Sequence, residues 1–331
     1  MSVQNAGNGG NAVMDNAASY KTPTLSLVVP CFNEEAAIKF LYEEVLNVLE
    51  KNEGITDFEF VFVDDGSRDA TLKELRKYAA LDNRVHYLSF SRNFGKEAAL
   101  LAGLAEATGK FVVTLDADLQ DPPSLVPEML NVVRCGEYDC AATRRVTRKG
   151  EPPVRSFFAR CFYYLMAKFA DIEVVDGARD FRLMSRTYVE ALLSLEERNR
   201  FSKGIFPWIG FKTKWFEYEN RERSAGVTKW SFWKLVLYAF SGIIAFSSKP
   251  LAIASVMGVL IFVASLILIA AIIIRKMTGH SVNVDGWAST ACIILFTSGI
   301  QLFSIGILGQ YIAKTYTEVK RRPHYIIKEA S

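Results

Sequence analysis

The run Phe111-Val112-Val113-Thr114-Leu115-Asp116-Ala117-Asp118-Leu119-Gln120-Asp121-Pro122-Pro123 joins an apolar strand, a spaced pair of acids and a double proline. Its first part, Phe111 to Leu115, has the unbroken apolar character of a buried parallel strand. Two carboxylates one residue apart follow at the carboxyl end, and the prolines are expected to end the strand. Ligands of open α/β sheets bind at the carboxyl ends of the strands. Two neighbouring hard oxygen donors there suit Mg²⁺ or Mn²⁺ together with a diphosphate, because Mg²⁺ is usually held by one or two carboxylates plus substrate phosphates. Most Asp-x-Asp pairs are solvated turn residues. Placement directly after a strand, with Gln120 and Pro122-Pro123 behind it, sets this pair apart.

The flanking chain supplies the rest of a sheet. Leu25 to Pro30 reads as a first strand, and Cys31-Phe32-Asn33-Glu34-Glu35 turns into a helix reaching about Glu50. Its early acids suit the positive end of the helix macrodipole. Phe58 to Val63 is a second strand running into Asp64-Asp65-Gly66-Ser67, and a helix follows from about Asp69. Val85 to Phe90 is a third strand, Gly95 to Ala107 a third helix, and Tyr138 to Thr143 a further strand. This β-α-β-α-β alternation predicts a parallel, doubly wound sheet.

Beyond the sheet the character changes. Thr143 to Arg155 is basic and broken by Pro152-Pro153, and Ser156 to Phe169 is a helix rich in aromatics. Basic runs ordinarily line solvated loops, but a cationic loop leading into an aromatic helix suits an anionic membrane surface or a phosphorylated lipid. Asp176 to Arg182 is a charged turn entering a strand or helix, and Arg221 to Trp230 is a second basic loop. Residues 231–249 read as amphipathic and interfacial, with Trp230 and Trp233 at the polar boundary. Pro250 to Ile274 and Trp287 to Ala313 are uncharged and long enough to cross a bilayer core, which takes about 20 residues. Basic residues flank the outer ends of this pair, whereas the connecting loop 275–286 has only Arg275 and Lys276. The positive-inside rule therefore places both termini and the sheet domain in the cytoplasm of a multi-pass inner-membrane protein. Gln301 and Gln310 in the second span suit hydrogen bonds between helices, within one chain or in a homo-oligomer.

Composition narrows the function further. A formal net charge of +3 in 331 residues gives no reason to expect nucleic acid as a partner. Five scattered cysteines and three distant histidines lack metal-site spacing and suit a reducing compartment. Residues 1–22, rich in Asn, Gly and Ala, read as a disordered tail. The expected organisation is that tail, a sheet domain over 23–230, interfacial helices over 231–249, two spans within 250–313, and a basic tail over 314–331.

Five runs carry a family likeness: VVPCFNEE at 28–35, DDGS at 64–67, SRNFGKEAAL at 91–100, DADLQDPP at 116–123 and GARDFRLMSR at 177–186. In this order they resemble glycosyltransferase family 2. The nearest branch is the polyprenyl-phosphate glycosyltransferases, which include dolichyl-phosphate mannose synthases and bacterial undecaprenyl-phosphate (bactoprenol) glucosyltransferases. The likeness runs from residue 24 to about 327, and the two spans and basic tail resemble the bacterial members.

The resemblance implies a GT-A, Rossmann-like nucleotide-sugar domain and an inverting transfer of a sugar to a lipid phosphate. It implies that Pro30, Phe32 and Glu34 line the nucleotide and that Asp65 contacts the base. Asp116, Asp118 and Gln120 would surround the metal, Mg²⁺ or Mn²⁺, and the diphosphate. Arg144 and Arg155 match positions that hold the acceptor phosphate. Arg223 and Lys229 match an element that touches diphosphate or acceptor. Asp180 falls where relatives with hydroxyl acceptors keep a base. Lys96 reads equally as a nucleotide contact or a helix-start charge.

A prenyl phosphate is already anionic, so its oxygen needs no strong base, which favours an orienting role for Asp180. The expected donor is UDP-glucose and the expected acceptor undecaprenyl phosphate; GDP-mannose is the alternative donor. A processive polysaccharide synthase is disfavoured because no Gln-x-x-Arg-Trp run occurs. A scaffold or lipid-translocation partner without catalysis is disfavoured by the intact Asp-x-Asp.

Overall fold

The computed structural model describes residues 24–52, 54–55, 57–145, 175, 177–218, 244, 247–278 and 286–331. The expected tail over 1–22, the Pro-Pro loop and aromatic helix, the second basic loop and nearly all of the interfacial segment lie outside the described residues.

The chain begins with β1 (Leu25–Cys31), α1 (Glu35–Glu50), β2 (Phe58–Asp64), α2 (Thr71–Leu81), β3 (Val85–Phe90), α3 (Lys96–Glu106) and β4 (Phe111–Thr114). A 3₁₀ turn (Pro123–Leu125), α4 (Val126–Arg134), β5 (Cys140–Arg145), β6 (Ala178–Ser185), α5 (Arg186–Leu193), α6 (Ser202–Trp208) and β7 (Thr213–Tyr218) follow. Two long helices, α7 (Lys249–Met277) and α8 (Trp287–Lys320), precede a last strand, β8 (Ile327–Ala330). One eight-stranded sheet runs in the order β7-β5-β6-β4-β1-β2-β3-β8.

The expected parallel sheet holds for β4, β1, β2 and β3, while β6 and β8 pair antiparallel with their neighbours. The sheet is therefore mixed. Its prolines also act differently from expectation: β4 ends at Thr114, and Pro123 instead opens the 3₁₀ turn leading to α4. Proline suits a first helical position because its missing N–H has no intrahelical partner there.

Alternation builds two cores. Leu25, Leu27 and Val29 of β1 face the layer that holds Leu41 of α1, Leu75 of α2 and Met129 of α4. Val28 faces the opposite layer, with Ala99 and Ala102 of α3 and Val189 of α5. Successive strand side chains point to opposite faces, so a continuous apolar run serves both layers. The chain crosses the sheet between β3 and β4, leaving a switch between β1 and β4. A crevice opens there beyond the carboxyl ends of the strands.

The end of the chain closes the other edge. Residues 314–331, expected as a basic tail, continue α8 to Lys320 and then form β8 against β3. Lysine is a good helix former, so Lys314 and Lys320 extend α8 rather than stop it. Tyr325 stacks on Phe90 at 5.0 Å between ring centroids. Glu329 accepts from Arg76 Nε at 2.7 Å and from the Tyr87 hydroxyl at 2.7 Å. Those bonds hold the Glu329 carboxyl down at about 2. A depressed carboxyl contributes stability that is present above its ordinary value, about 4.3, and lost as pH falls through the lower folded one. Deleting residues 325–331 is expected to speed hydrogen exchange at the Ser91 amide, bonded to Ile326 O at 3.0 Å, by about tenfold or more. Lowering the pH of the intact chain from about 4.3 toward 2 should act in the same direction.

Helices α7 and α8 are long and apolar enough to cross a membrane, and the most apolar window of each has no residue buried in the protein. A core helix of a soluble protein would bury such a surface. The Tyr311 hydroxyl donates to Ser247 O at 2.5 Å, which sets α8 level with the start of α7. With β8 back on the sheet, both outer ends of this helical hairpin lie on the side of the sheet domain.

Candidate functional site

The β1 side of the crevice is shaped by interlocked turns. Asn33 lies at φ 55°, a conformation that asparagine tolerates better than most residues. Its N–H donates to Ser67 Oγ at 2.9 Å, and its side-chain oxygen accepts from the Arg68 N–H at 2.9 Å. The Glu34 N–H donates to Thr71 Oγ1 at 2.9 Å. These bonds seat Pro30 and Phe32 at the end of β1, with Phe32 36% exposed at the crevice.

Both acids after β2 hold loops in place. Asp64 accepts from the Ser67 N–H at 3.0 Å and the Ser89 hydroxyl at 2.8 Å. Asp65 is buried and accepts from the N–H groups of Phe94 at 2.6 Å and Gly95 at 2.9 Å. Burial pushes its carboxyl up, and those two donors pull against it. The structure thus gives Asp65 a positioning task, fixing the turn that starts α3.

Gly66 lies at φ +68°, and a Cβ added there would come within 2.4 Å of the Arg92 carbonyl carbon. Gly66→Ala is expected to cost about 2–4 kcal/mol, from left-handed strain plus overpacking. A lowered thermal midpoint, with loss of protection at the Phe94 and Gly95 amides, is the measurement that checks it.

The acid loop forms the opposite wall. Asp116 and Asp118 are half-buried just beyond β4. The loop turns at Leu119, φ 55°, and the Gln120 N–H donates to Asp118 Oδ1 at 3.2 Å. Lys96, first residue of α3, reaches across with its Nζ 2.7 Å from Asp116 Oδ1 and 2.6 Å from Asp180 Oδ2. Asp180 arrives on β6, whose antiparallel pairing with β4 brings it alongside; the Thr114 hydroxyl donates to its carbonyl. Desolvation opposes the Lys96 charge, but Asp116 and Asp180 outweigh it and hold the ammonium well above the usual lysine range. Burial likewise opposes ionisation of Asp180, and Lys96 followed by Lys203 overcomes it and holds that carboxyl far down.

Beneath this wall lies a group to which sequence reasoning assigned no role. Arg179 Nε donates to Asp121 Oδ1 at 3.0 Å, and the Tyr218 hydroxyl donates to the same oxygen. An Arg179 terminal nitrogen stands 4.0 Å from Asp116 Oδ2, and its Nη2 and that of Arg145 each lie 3.5 Å from Gln120 Oε1. Arg182 is buried, with its guanidinium 3.9 Å from the centroid of the Phe206 ring. The available signal was local: Asp121 closes the acid run, and Arg179 precedes Asp180 within the charged turn.

The structure thus brings Lys96, Asp116 and Asp180 into direct contact, with Asp118 and Gln120 in the same loop. Arg144 sits at the end of β5, where its Nε donates to Glu217 at 2.9 Å. Arg155, Arg223 and Lys229 lie outside the described residues. Among the described residues no three His, Cys, Asp or Glu side chains are placed to hold a metal ion together. Asp116, Asp118 and Gln120 offer hard oxygens, a set short of a full shell, which fits a cation that completes its coordination with diphosphate oxygens. The ammonium on Asp116 shows that this position already stabilises positive charge.

Residues 26–193 match the family described as Glycosyl transferase family 2. The chain is 42% identical over 307 residues to a bactoprenol glucosyl transferase of Shigella phage SfII, covering 92% of this chain and 98% of that one. It is 42% identical over 305 residues to a prophage bactoprenol glucosyl transferase homolog of Escherichia coli, covering 92% and 98%. Among solved structures, glucosyl-3-phosphoglycerate synthase from Mycobacterium tuberculosis shares 22% identity at a TM-score of 0.43, covering 67% of this chain and 78% of that one.

Proposed function

The chain belongs to glycosyltransferase family 2, and on that premise we propose that it moves glucose from UDP-glucose onto the phosphate of a polyprenyl lipid, undecaprenyl phosphate, at the cytoplasmic face of a membrane. The observation that carries this reading is the acid loop at the switch crevice, bridged by Lys96 to Asp180. Relatives named as bactoprenol glucosyl transferases supply the acceptor class.

In this reading Asp116, Asp118 and Gln120 would hold Mg²⁺ or Mn²⁺ together with the donor diphosphate. Bound there, the cation supplies Lewis-acid stabilisation of the charge left on the departing nucleotide. Lys96 and Arg179 add fixed positive charge beside the same loop, preorganised by their carboxylate partners. Pro30, Phe32, Glu34 and Asp65 shape the nucleotide side. Arg144, Arg155, Arg223 and Lys229 attract the acceptor phosphate, whose anionic oxygen attacks the anomeric carbon unaided by a strong base. Asp180, held ionised by Lys96, orients that lysine rather than taking a proton. Helices α7 and α8 hold the crevice close to the leaflet, so that lipid phosphate and donor meet in register.

The test is transfer itself. Purified full-length protein is given labelled UDP-glucose, UDP-N-acetylglucosamine or GDP-mannose, with undecaprenyl or dolichyl phosphate, and label entering organic solvent is counted. Glucose label is expected on undecaprenyl phosphate, in the presence of Mg²⁺ or Mn²⁺. Label only in water-soluble glycan, or none with any donor, sinks the proposal.

A further inference from the structure

Outside the switch crevice the structure holds a cavity of about 490 Å³ where the end of α8 meets the sheet domain. Arg92, Arg198, Arg200, Lys320 and Arg322 line it against one acid, Glu97. We propose that this cavity binds the phosphate of an anionic membrane phospholipid, at a site separate from that of the sugar acceptor. The proposal rests on the reading of α7 and α8 as membrane spans.

Charge is the first argument. Glu97 is already engaged, accepting from the N–H of Ser202 at 3.2 Å and from its hydroxyl. Glu318 accepts the N–H groups of Arg198 and Asn199 at 2.9 Å, which fixes the loop carrying Arg198 and Arg200. Arg200 donates to the carbonyls of Leu195 at 2.6 Å and Leu192 at 3.2 Å, which orient its guanidinium, while Glu197 and Glu97 support its charge against burial without reaching ion-pair distance. Arg92 lies over the Phe94 ring at 4.0 Å, and Lys320 over Tyr316 at 4.3 Å. Among the described residues, no carboxylate is within salt-bridge distance of any of these five cations. Burial lowers the pKa of His324, another lining residue, with Arg198 and Arg200 acting in the same direction and Glu318 opposing them.

Depth is the second argument. The Tyr311 to Ser247 bond marks where α8 is level with the start of α7. Tyr316 and Lys320 lie five and nine residues further, about 7.5 and 13.5 Å along a helix. The polar zone of a bilayer extends roughly 5–8 Å beyond each side of its hydrocarbon core. On that scale Tyr316, which lines the cavity, stands at headgroup depth, with Lys320 just beyond it and apolar α8 leading down into the acyl region. Basic residues directly beyond a span are where anionic lipid is attracted.

Separateness is the third argument. Lys96 faces Asp116 and Asp180, whereas Glu97, the next residue of α3, faces the cavity. The two sites therefore adjoin at the start of α3, each lined by a different side chain of that helix.

Native mass spectrometry of the full-length protein in neutral detergent tests this, with short-chain phosphatidylglycerol and phosphatidylcholine as probes. Wild type is expected to retain phosphatidylglycerol selectively. Arg198→Gln with Arg322→Gln should weaken that retention roughly tenfold or more, with an unchanged thermal midpoint and unchanged phosphatidylcholine retention. Arg92→Gln, at a lining residue carried by a different part of the chain, should act in the same direction. Equal retention of both lipids by wild type overturns the proposal, as does selective retention unmoved in all three variant positions. Displacement of phosphatidylglycerol by equimolar inorganic phosphate would assign the cavity to free phosphate and overturn the lipid. Since lipid retention is read without turnover, a chain that retains phosphatidylglycerol selectively yet transfers no sugar would separate this proposal from the glycosyl-transfer reading.

Discussion

Asp118→Asn is expected to slow sugar transfer by about a thousandfold, the upper range for loss of one preorganised electrostatic contact. Asparagine keeps the shape and one oxygen of the side chain but removes its charge. The acid loop has two carboxylates to offer a cation, so the change halves its formal negative charge while leaving Asp116 on Lys96. Loss should be concentrated in the departure of the nucleoside diphosphate, where negative charge develops. The variant should therefore need more Mn²⁺ or Mg²⁺ for half-maximal rate, and saturating cation should restore only part of it. Because Asp118 is half-buried beside a solvated loop, the thermal midpoint should move little. Transfer at an undiminished rate would remove Asp118 from the chemistry.

Lys96→Met is expected to lower kcat about a hundredfold and to change its dependence on pH. In the intact protein the raised Lys96 contributes stability that is present below its ordinary value, about 10.4, and lost only above its higher folded one. The depressed Asp180 contributes stability present above about 3.9 and lost only as pH falls through its lower folded value. Both groups are therefore charged between about pH 5 and 9, and this pair adds no limb to the rate profile there. Methionine fills the volume but leaves Asp116 and Asp180 without the bridging cation. Burial then pushes the Asp180 carboxyl up with only Lys203 and Arg182 left to oppose it, and an acid limb should appear above pH 4. The Lys96 side chain is 43% exposed, so the stability cost is screened to about 1–2 kcal/mol. Lys96→Arg should recover part of kcat and remove the new limb. An unchanged kcat and a flat profile in Lys96→Met would reduce the bridge to a helix-start charge.

The local elements were legible because their signals are local. Val85–Phe90 was readable in full from a largely apolar stretch interrupted only by His86 and Ser89, and the start of α1 from its early acids and the turn before it. Partners were not legible. Thr114 pairs with Arg182, and Lys96 meets Asp180 across 84 residues of sequence. No periodicity in either segment announces the other. The same holds for Asp65, since nothing near it in sequence announced that its carboxylate would hold the Phe94-Gly95 turn. The end of the chain misled for a different reason: its basic charges suggested a tail, while edge pairing needs only a short run such as Ile327–Ala330 and a free neighbour, β3.

From its residues alone the chain determined an α/β domain, an acid loop after its central strand, and two segments apolar enough for lipid. These follow from composition and spacing, which act over a few residues. Tertiary structure decided that β6 runs antiparallel into the sheet and delivers Asp180 to Lys96, that Arg179 and Asp121 lie beneath the acid loop, and that α8 returns the chain to the edge of β3. Those outcomes depend on which distant groups can satisfy one another once buried, and that balance of desolvation against pairing exists only in the folded molecule.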